Sequence, residues 1–197
     1  MSRGLLIVLV LVVLVGGIAL WAVSINNQLV RLDQDVNEKW AQVQNVYQRR
    51  ADLIPNLVET VKGFAAQERT VLEEVTKARA SASSIQLTPE ALKDPKALQK
   101  FQEAQSQLSG ALSRLLVTVE RYPELKSNQN FLALQNQLES IENRVAVERR
   151  RFNESVRAYN TAVRSFPGSL VASSRGFRER PFFEAAPGSQ AAPQIKF

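Results

Sequence analysis

From Leu5 to Val23 the chain reads LLIVLVLVVLVGGIALWAV, without a single charge. About 19 helical residues at a 1.5 Å rise span roughly 28 Å, the thickness of a bilayer's hydrocarbon core. A helix apolar on every face over that length predicts a transmembrane anchor, taken as residues 5–25 behind a short flank at 1–4. Trp21 falls at the outgoing end, where an indole sits at headgroup level. The run outlasts the roughly 7–15-residue apolar stretch of a signal peptide, so a retained anchor is the preferred reading. Ala22-Val23-Ser24 fits the small-x-small cleavage rule and keeps removal as the alternative. Gly16-Gly17 admits close approach of another helix or simply relaxes the span.

Beyond the anchor the apolar residues step by three and four, the signature of amphipathic helices. One series runs Leu29, Leu32, Val36, Trp40, Val43, Tyr47, and a second Leu57, Val61, Phe64, Val71, Val75 up to the small polar stretch at 80–84. The third is Leu98, Phe101, Gln105, Leu108, Leu112, Leu115, Val119, Tyr122, and the fourth runs from Phe131 through Leu138, Val145, Phe152 and Tyr159 to Phe166. Pro55 falls between the first two, Thr88 is placed to cap a start at Pro89, Pro95 sets the regular third helix after Asp94, and Tyr122-Pro123 stops it. Breaks are therefore expected near 55, at 82–89 and at 123–128.

Stretches of about 26, 28, 28 and 38 residues, roughly 40–57 Å each, favour four antiparallel helices with a turn at Pro55. The competing arrangement is one long helix kinked at that proline. The fold class is thus all-α: a transmembrane helix followed by an antiparallel four-helix bundle spanning 26–166. Residues 167–197 are rich in Gly, Pro, Ser and Ala, carry no helical seam, and read as an extended tail. Leu170, Val171, Phe177, Phe182 and Phe183 make it more apolar than a plain linker. Docking on the bundle, on a neighbouring subunit or on the membrane surface all suit that character.

Composition narrows the chemistry. Histidine and cysteine are both absent, which removes the commonest general base, the commonest metal ligand, disulfides and thiolate sites. Glu148 and Glu68 lie on or beside apolar seams, but the di-metal bundles that use inward carboxylates need Glu-x-x-His partners that this chain lacks. Each is expected to pair with an arginine across the bundle and fix register. No phosphate-binding glycine loop is present, and a serine nucleophile would have no histidine beside it. No catalytic, cofactor-binding or metal-binding residue is assigned, and no enzymatic activity is expected. The formal charge of +6 is spread along the chain. The densest spots, Arg49-Arg50 and Arg149-Arg150-Arg151, fan around a helix and read as solvated, salt-bridged faces rather than a nucleic-acid site. Arg3 precedes the span, while Arg31 beyond it is offset by Asp33 and Asp35. By that single arginine the Lys/Arg bias favours a periplasmic over a cytoplasmic bundle.

Tyr47-Gln48-Arg49-Arg50-Ala51-Asp52-Leu53-Ile54-Pro55-Asn56-Leu57-Val58 resembles the central signature of the LemA family of bacterial membrane proteins. The likeness continues at Thr60-Val61-Lys62-Gly63, Tyr122-Pro123-Glu124-Leu125-Lys126, Glu142-Asn143-Arg144, Arg150-Arg151-Phe152-Asn153 and Tyr159-Asn160, and it reaches the Phe-Pro-x-x-Leu-Val start of the tail at Phe166. The resemblance implies a single N-terminal span and an antiparallel, mainly four-helix bundle with no established enzymatic activity. It also implies links with cell-envelope stress, membrane organisation and a membrane metalloprotease encoded nearby. It carries over no catalytic residues. Asp52 suits a cap for a helix begun by Pro55, or a partner for Arg49 or Arg50. Asn143, Asn153 and Asn160 suit hydrogen bonds within or between helices.

Together these features lead to the expectation of a single-pass inner-membrane scaffold. It touches lipid through residues 5–25 and binds envelope or membrane proteins, or further copies of itself. Direct remodelling of an anionic lipid surface, or service as an accessory factor to a membrane protease or stress response, are the rival readings.

Overall fold

The computed structural model describes residues 3–184; residues 1–2 of the flank and 185–197 of the tail lie outside them. Among the described residues the elements are α1 (Arg3–Phe64), α2 (Arg69–Ser84), a 3-10 turn (Ala91–Lys93), α3 (Pro95–Val119), α4 (Pro123–Lys126), α5 (Gln129–Arg164) and α6 (Gly168–Arg175), with no strand. The all-α bundle behind a long apolar N-terminal helix stands.

At 62 residues α1 is about 93 Å long. Its first turns are apolar and open on all sides, from Leu5 at 55% exposure to Leu20 at 75%. It is the one described helix long and apolar enough to cross a membrane, and lipid is the medium that such a surface matches. The chain is a single-pass membrane protein. From Leu29 onward one stripe of the same helix is buried: Leu29, Val36, Trp40, Val43, Tyr47, Ile54, Leu57 and Val61.

The turn expected at Pro55 is not there; α1 runs straight through it. Proline has no N–H, so the carbonyl of Ala51, four residues back, loses its intrahelical donor. Arg79 of α2 replaces that donor, its Nε standing 2.7 Å from the Ala51 oxygen. The backbone vacancy is thereby filled from another helix, and a break is unnecessary. The chain reverses instead at residues 65–68, where Ala65 N–H closes onto Val61 and Glu68 N–H onto Ala65. Asp52 accordingly caps nothing: with no helix starting nearby, its carboxylate accepts from Gln48 Nε2 at 2.7 Å.

Helix starts further along are set by local chemistry. Thr88 Oγ1 accepts from Ala91 N–H ahead of the 3-10 turn. Asp94 accepts from Lys96 N–H with Pro95 at the first position of α3. Asn128 Oδ1 accepts from both Asn130 and Phe131 at the start of α5.

Helix α1 packs along α5 and α2 along α3, while contact between α1 and α2 joins the two pairs. The backbones of α3 and α5 hardly approach each other, which leaves a cleft between them. The distal half of the core unites Ile54, Leu57, Val61, Leu72, Leu108, Leu115 and Phe131. The half nearer the anchor is built differently, because α2 stops at Ser84 and does not reach it. There Leu87 and Leu92 from the connection, Ala172 from α6 and Phe183 from the tail cover Trp40, Val36 and Phe152.

The tail is therefore not a loose extension. Its start folds into α6, a helix too short to show a seam in the sequence. A Cβ at Gly168 would collide with the carbonyl oxygen of Ala162, so only glycine lets α6 turn this tightly onto α5. Gly176 closes the helix at φ +77°, a left-handed conformation that suits glycine.

Candidate functional site

Two adjoining features carry the polar chemistry of the bundle: a clamp that grips the tail, and the cleft between α3 and α5.

The clamp is built on Asn153 and Asn160, seven residues apart and so on one face of α5. Asn160 Nδ2 donates to the Arg180 carbonyl at 2.9 Å while its Oδ1 accepts from Arg180 N–H at 2.8 Å. Asn153 repeats the pattern with Phe183, at 3.0 and 2.9 Å. Seven helical residues rise about 10.5 Å, and three extended residues cover about 10 Å, so the two amides meet the tail in register. Each carboxamide satisfies both backbone groups of one tail residue, as a neighbouring strand would.

Side chains then lock the tail. The Arg180 guanidinium, 2% exposed, reaches Asp33 Oδ1 at 2.7 Å and donates to the Pro89 carbonyl at 3.0 Å. Phe183 stacks on Trp40 at 5.9 Å between centroids and meets Phe152 edge-on at 5.3 Å. Arg149 lies 4.7 Å over the Phe183 ring and donates to the Glu184 carbonyl at 2.8 Å. Burial pushes the Tyr159 phenol above its ordinary range, with Asp33 adding to the effect and Arg180 opposing it.

The cleft encloses about 400 Å³. Tyr47 and Arg50 of α1 form its floor, with Gln102, Gln105, Ser106 and Ser109 of α3 on one wall and Glu142 and Arg149 of α5 on the other. Arg50 is 2% exposed and donates from Nη2 to Ser109 Oγ at 2.7 Å. Its Nε stands 2.8 Å from Glu142 Oε1, an ion pair by distance although that N–H makes no hydrogen bond. Burial lowers the Arg50 pKa, with Glu142 and then Tyr47 opposing, and burial raises that of Tyr47. Gln105 Oε1 is buried without a partner. The described part of the tail reaches the rim, where Glu184 N–H donates to Gln102 Oε1 at 3.2 Å. Such walls offer amides, hydroxyls, the guanidinium groups of Arg50 and Arg149 and the Glu142 carboxylate, a set suited to holding a polypeptide or small polar ligand.

The expected site residues separate on inspection. Glu68 does pair across the bundle, with Arg121 at 3.1 Å and the Tyr122 hydroxyl at 2.7 Å. Glu148 does not; its partner is Arg151 on its own helix, at 2.8 Å. Arg49, Arg150 and Arg151 are exposed, whereas Arg50 is buried and Arg149 lies against the tail. The solvated reading of the basic pairs therefore fails at Arg50 because its position in the 3.6-residue period faces α3 and α5. Asn143 is exposed, and Asn153 and Asn160 bond the tail rather than another helix. Gln105 stands on the third seam without a role, and neither Arg180 nor Gln102 is assigned one from the sequence. Arg180 is one of three arginines, with Arg175 and Arg178, set among the tail's phenylalanines, and nothing local distinguishes it from them.

Residues 39–197 match the family model described as LemA family. The chain is 27% identical to the magnetosome protein MamQ of Magnetospirillum gryphiswaldense, an alignment that covers 86% of this chain and 69% of that one. It is 23% identical to each of the magnetosome proteins MamQ 1 and MamQ 2 of Paramagnetospirillum magneticum, with the same coverage.

Proposed function

We propose that this chain, which belongs to the LemA family, is a non-enzymatic scaffold of the bacterial inner membrane whose α3–α5 cleft holds a segment of a protein partner. The observation behind this reading is a polar cleft that the described residues leave unfilled, beside a clamp of the same chemistry. Asn153 and Asn160 grip the tail backbone through side-chain amides, Gln102 Oε1 continues that grip by accepting from Glu184 N–H, and its Nε2 and the Gln105 amide carry the same chemistry into the cleft. Gln105 Oε1 has no donor among the described residues, and a backbone N–H seated in the cleft is the group that would satisfy it. The anchor fixes the bundle to the bilayer, so partners that are themselves membrane proteins, or further copies of this chain, meet it at high effective concentration. The Lys/Arg bias around the span supports a bundle on the periplasmic side.

A photo-crosslinking residue at exposed Ser106, in the full-length chain in native membranes, tests the proposal. Adducts to a protein that disappear when Gln105 is replaced by Leu are expected. Only uncrosslinked monomer, together with a monomeric mass in mild detergent, would overturn it.

A further inference from the structure

The tail's apolar residues divide into two groups. Phe183, Val171 and Phe177 pack into the core. Phe166 and Leu170 do not: they are 77% and 60% exposed, Phe166 on the short corner that joins α5 to α6 and Leu170 in the first turn of α6. We infer that this corner is a second membrane contact, a foot that rests in the headgroup layer of the same leaflet from which α1 emerges.

The register of the bundle fixes its height. Arg50 of α1 pairs with Glu142 of the antiparallel α5. Phe166 stands 24 residues beyond Glu142, and Asn26 stands 24 residues before Arg50, so the two lie at about the same level. A second tie agrees: Arg180, whose backbone Asn160 holds, reaches Asp33. Asn26 is three residues, or about 5 Å of helix, past Val23 at the end of the apolar span. A headgroup layer is roughly 5–7 Å deep on each side of the hydrocarbon core, so Phe166 falls inside it.

The packing supports that placement. Ile25, Leu29, Val163, Val171 and Ala172 belong to one cluster, which puts the α5–α6 corner beside the root of the anchor rather than out in solvent. Two large exposed apolar side chains at that position suit an interface, where an aromatic ring and an aliphatic chain replace contact with water. Exposed Arg31 and Arg164 at the same end suit anionic headgroups. The bilayer is thus continuous with the surface that the anchor already occupies. A helix alone leaves the bundle free to tilt about its root; the foot beneath α5 gives it a second support and a preferred lean.

Because the chain has no cysteine, single probes can be placed cleanly. Full-length Phe166→Cys and Leu170→Cys variants carry an environment-sensitive fluorophore in phosphatidylcholine–phosphatidylglycerol vesicles, with Val117→Cys, 71% exposed toward the far end of α3, as the reference. Blue-shifted emission quenched by headgroup-level lipid spin labels is expected at 166 and 170 and not at 117. Emission at 166 and 170 as water-like as at 117 would overturn the inference. So would shielding that lipid quenchers do not reach and that grows with protein density, since that outcome assigns the corner to a second copy. Neither result depends on whether the cleft holds a partner.

Discussion

Pro55 and Arg79 sit on different helices, yet the structure makes them partners through a carbonyl that belongs to neither. Pro55 deprives the Ala51 oxygen of its donor, and Arg79 Nε restores one at 2.7 Å. Arg79→Met keeps much of the apolar stem but removes a charged hydrogen bond to a buried residue's carbonyl, which costs about 2 kcal/mol. In a Pro55→Ala background the new amide takes the Ala51 oxygen, and the same Arg79→Met change costs no more than about 0.5 kcal/mol. The coupling between the two sites is therefore about 1.5 kcal/mol, well outside the roughly 0.3–0.5 kcal/mol within which independent sites add. The cycle is measured by denaturant unfolding of the full-length protein in detergent micelles, with Trp40 emission as the probe and Trp21 replaced by Phe. If Arg79→Met costs the same in both backgrounds, the arginine is not standing in for the missing N–H, and the account of the unbroken α1 is wrong.

Phe183→Ala removes a 5%-exposed ring from between Trp40, Phe152 and Arg149 and should cost about 3–5 kcal/mol, less if the tail lifts off locally. Red-shifted Trp40 emission with faster tryptic cleavage at Arg178 is the expected signature; an unchanged spectrum would remove the tail from the core. The Arg50–Glu142 pair should respond unequally, because Arg50 is 2% and Glu142 45% exposed by side chain. Glu142→Ala strands a buried charge and costs about 2 kcal/mol, whereas Arg50→Met stays within about 1 kcal/mol of wild type; equal losses in chemical denaturation would contradict this asymmetry. Burial raises the Tyr47 and Tyr159 phenols above their ordinary value of 10.0. The fold then favours their neutral forms, so stability is complete below pH 10 and falls above it, where the unfolded chain ionises first. Denaturation midpoints across that range, compared with Tyr47→Phe, test it, since the variant should show a shallower decline.

How much was legible in the sequence depends on how far each feature relies on its neighbours. The anchor followed from an uncharged run alone, since no arrangement of a single chain's other helices hides so wide an apolar surface. The seams of α3 and α5 were equally plain, because helical periodicity records which face is buried without naming what buries it. The family signature around Pro55 was visible as well, but its consequence was not. Whether a proline ends a helix depends on a donor for one carbonyl, and that donor came from Arg79, 28 residues away. The tail was legible only in part for the same reason: docking on the bundle stood as one of three options for its apolar residues, while the helix α6 within it was not foreseen. An irregular segment has no period, and its order resides in Asn153, Asn160, Asp33 and Trp40 on other elements. Arg50 and Arg49 look alike as letters; only packing puts one under α3 and α5 and leaves the other in water. The local pattern thus determined the anchor, the helices and their buried faces. Tertiary structure decided where the chain turns, what closes the core beside the membrane, and that amides of α3 and α5 line a cleft between them, because each depends on hydrogen-bond partners far apart in the chain.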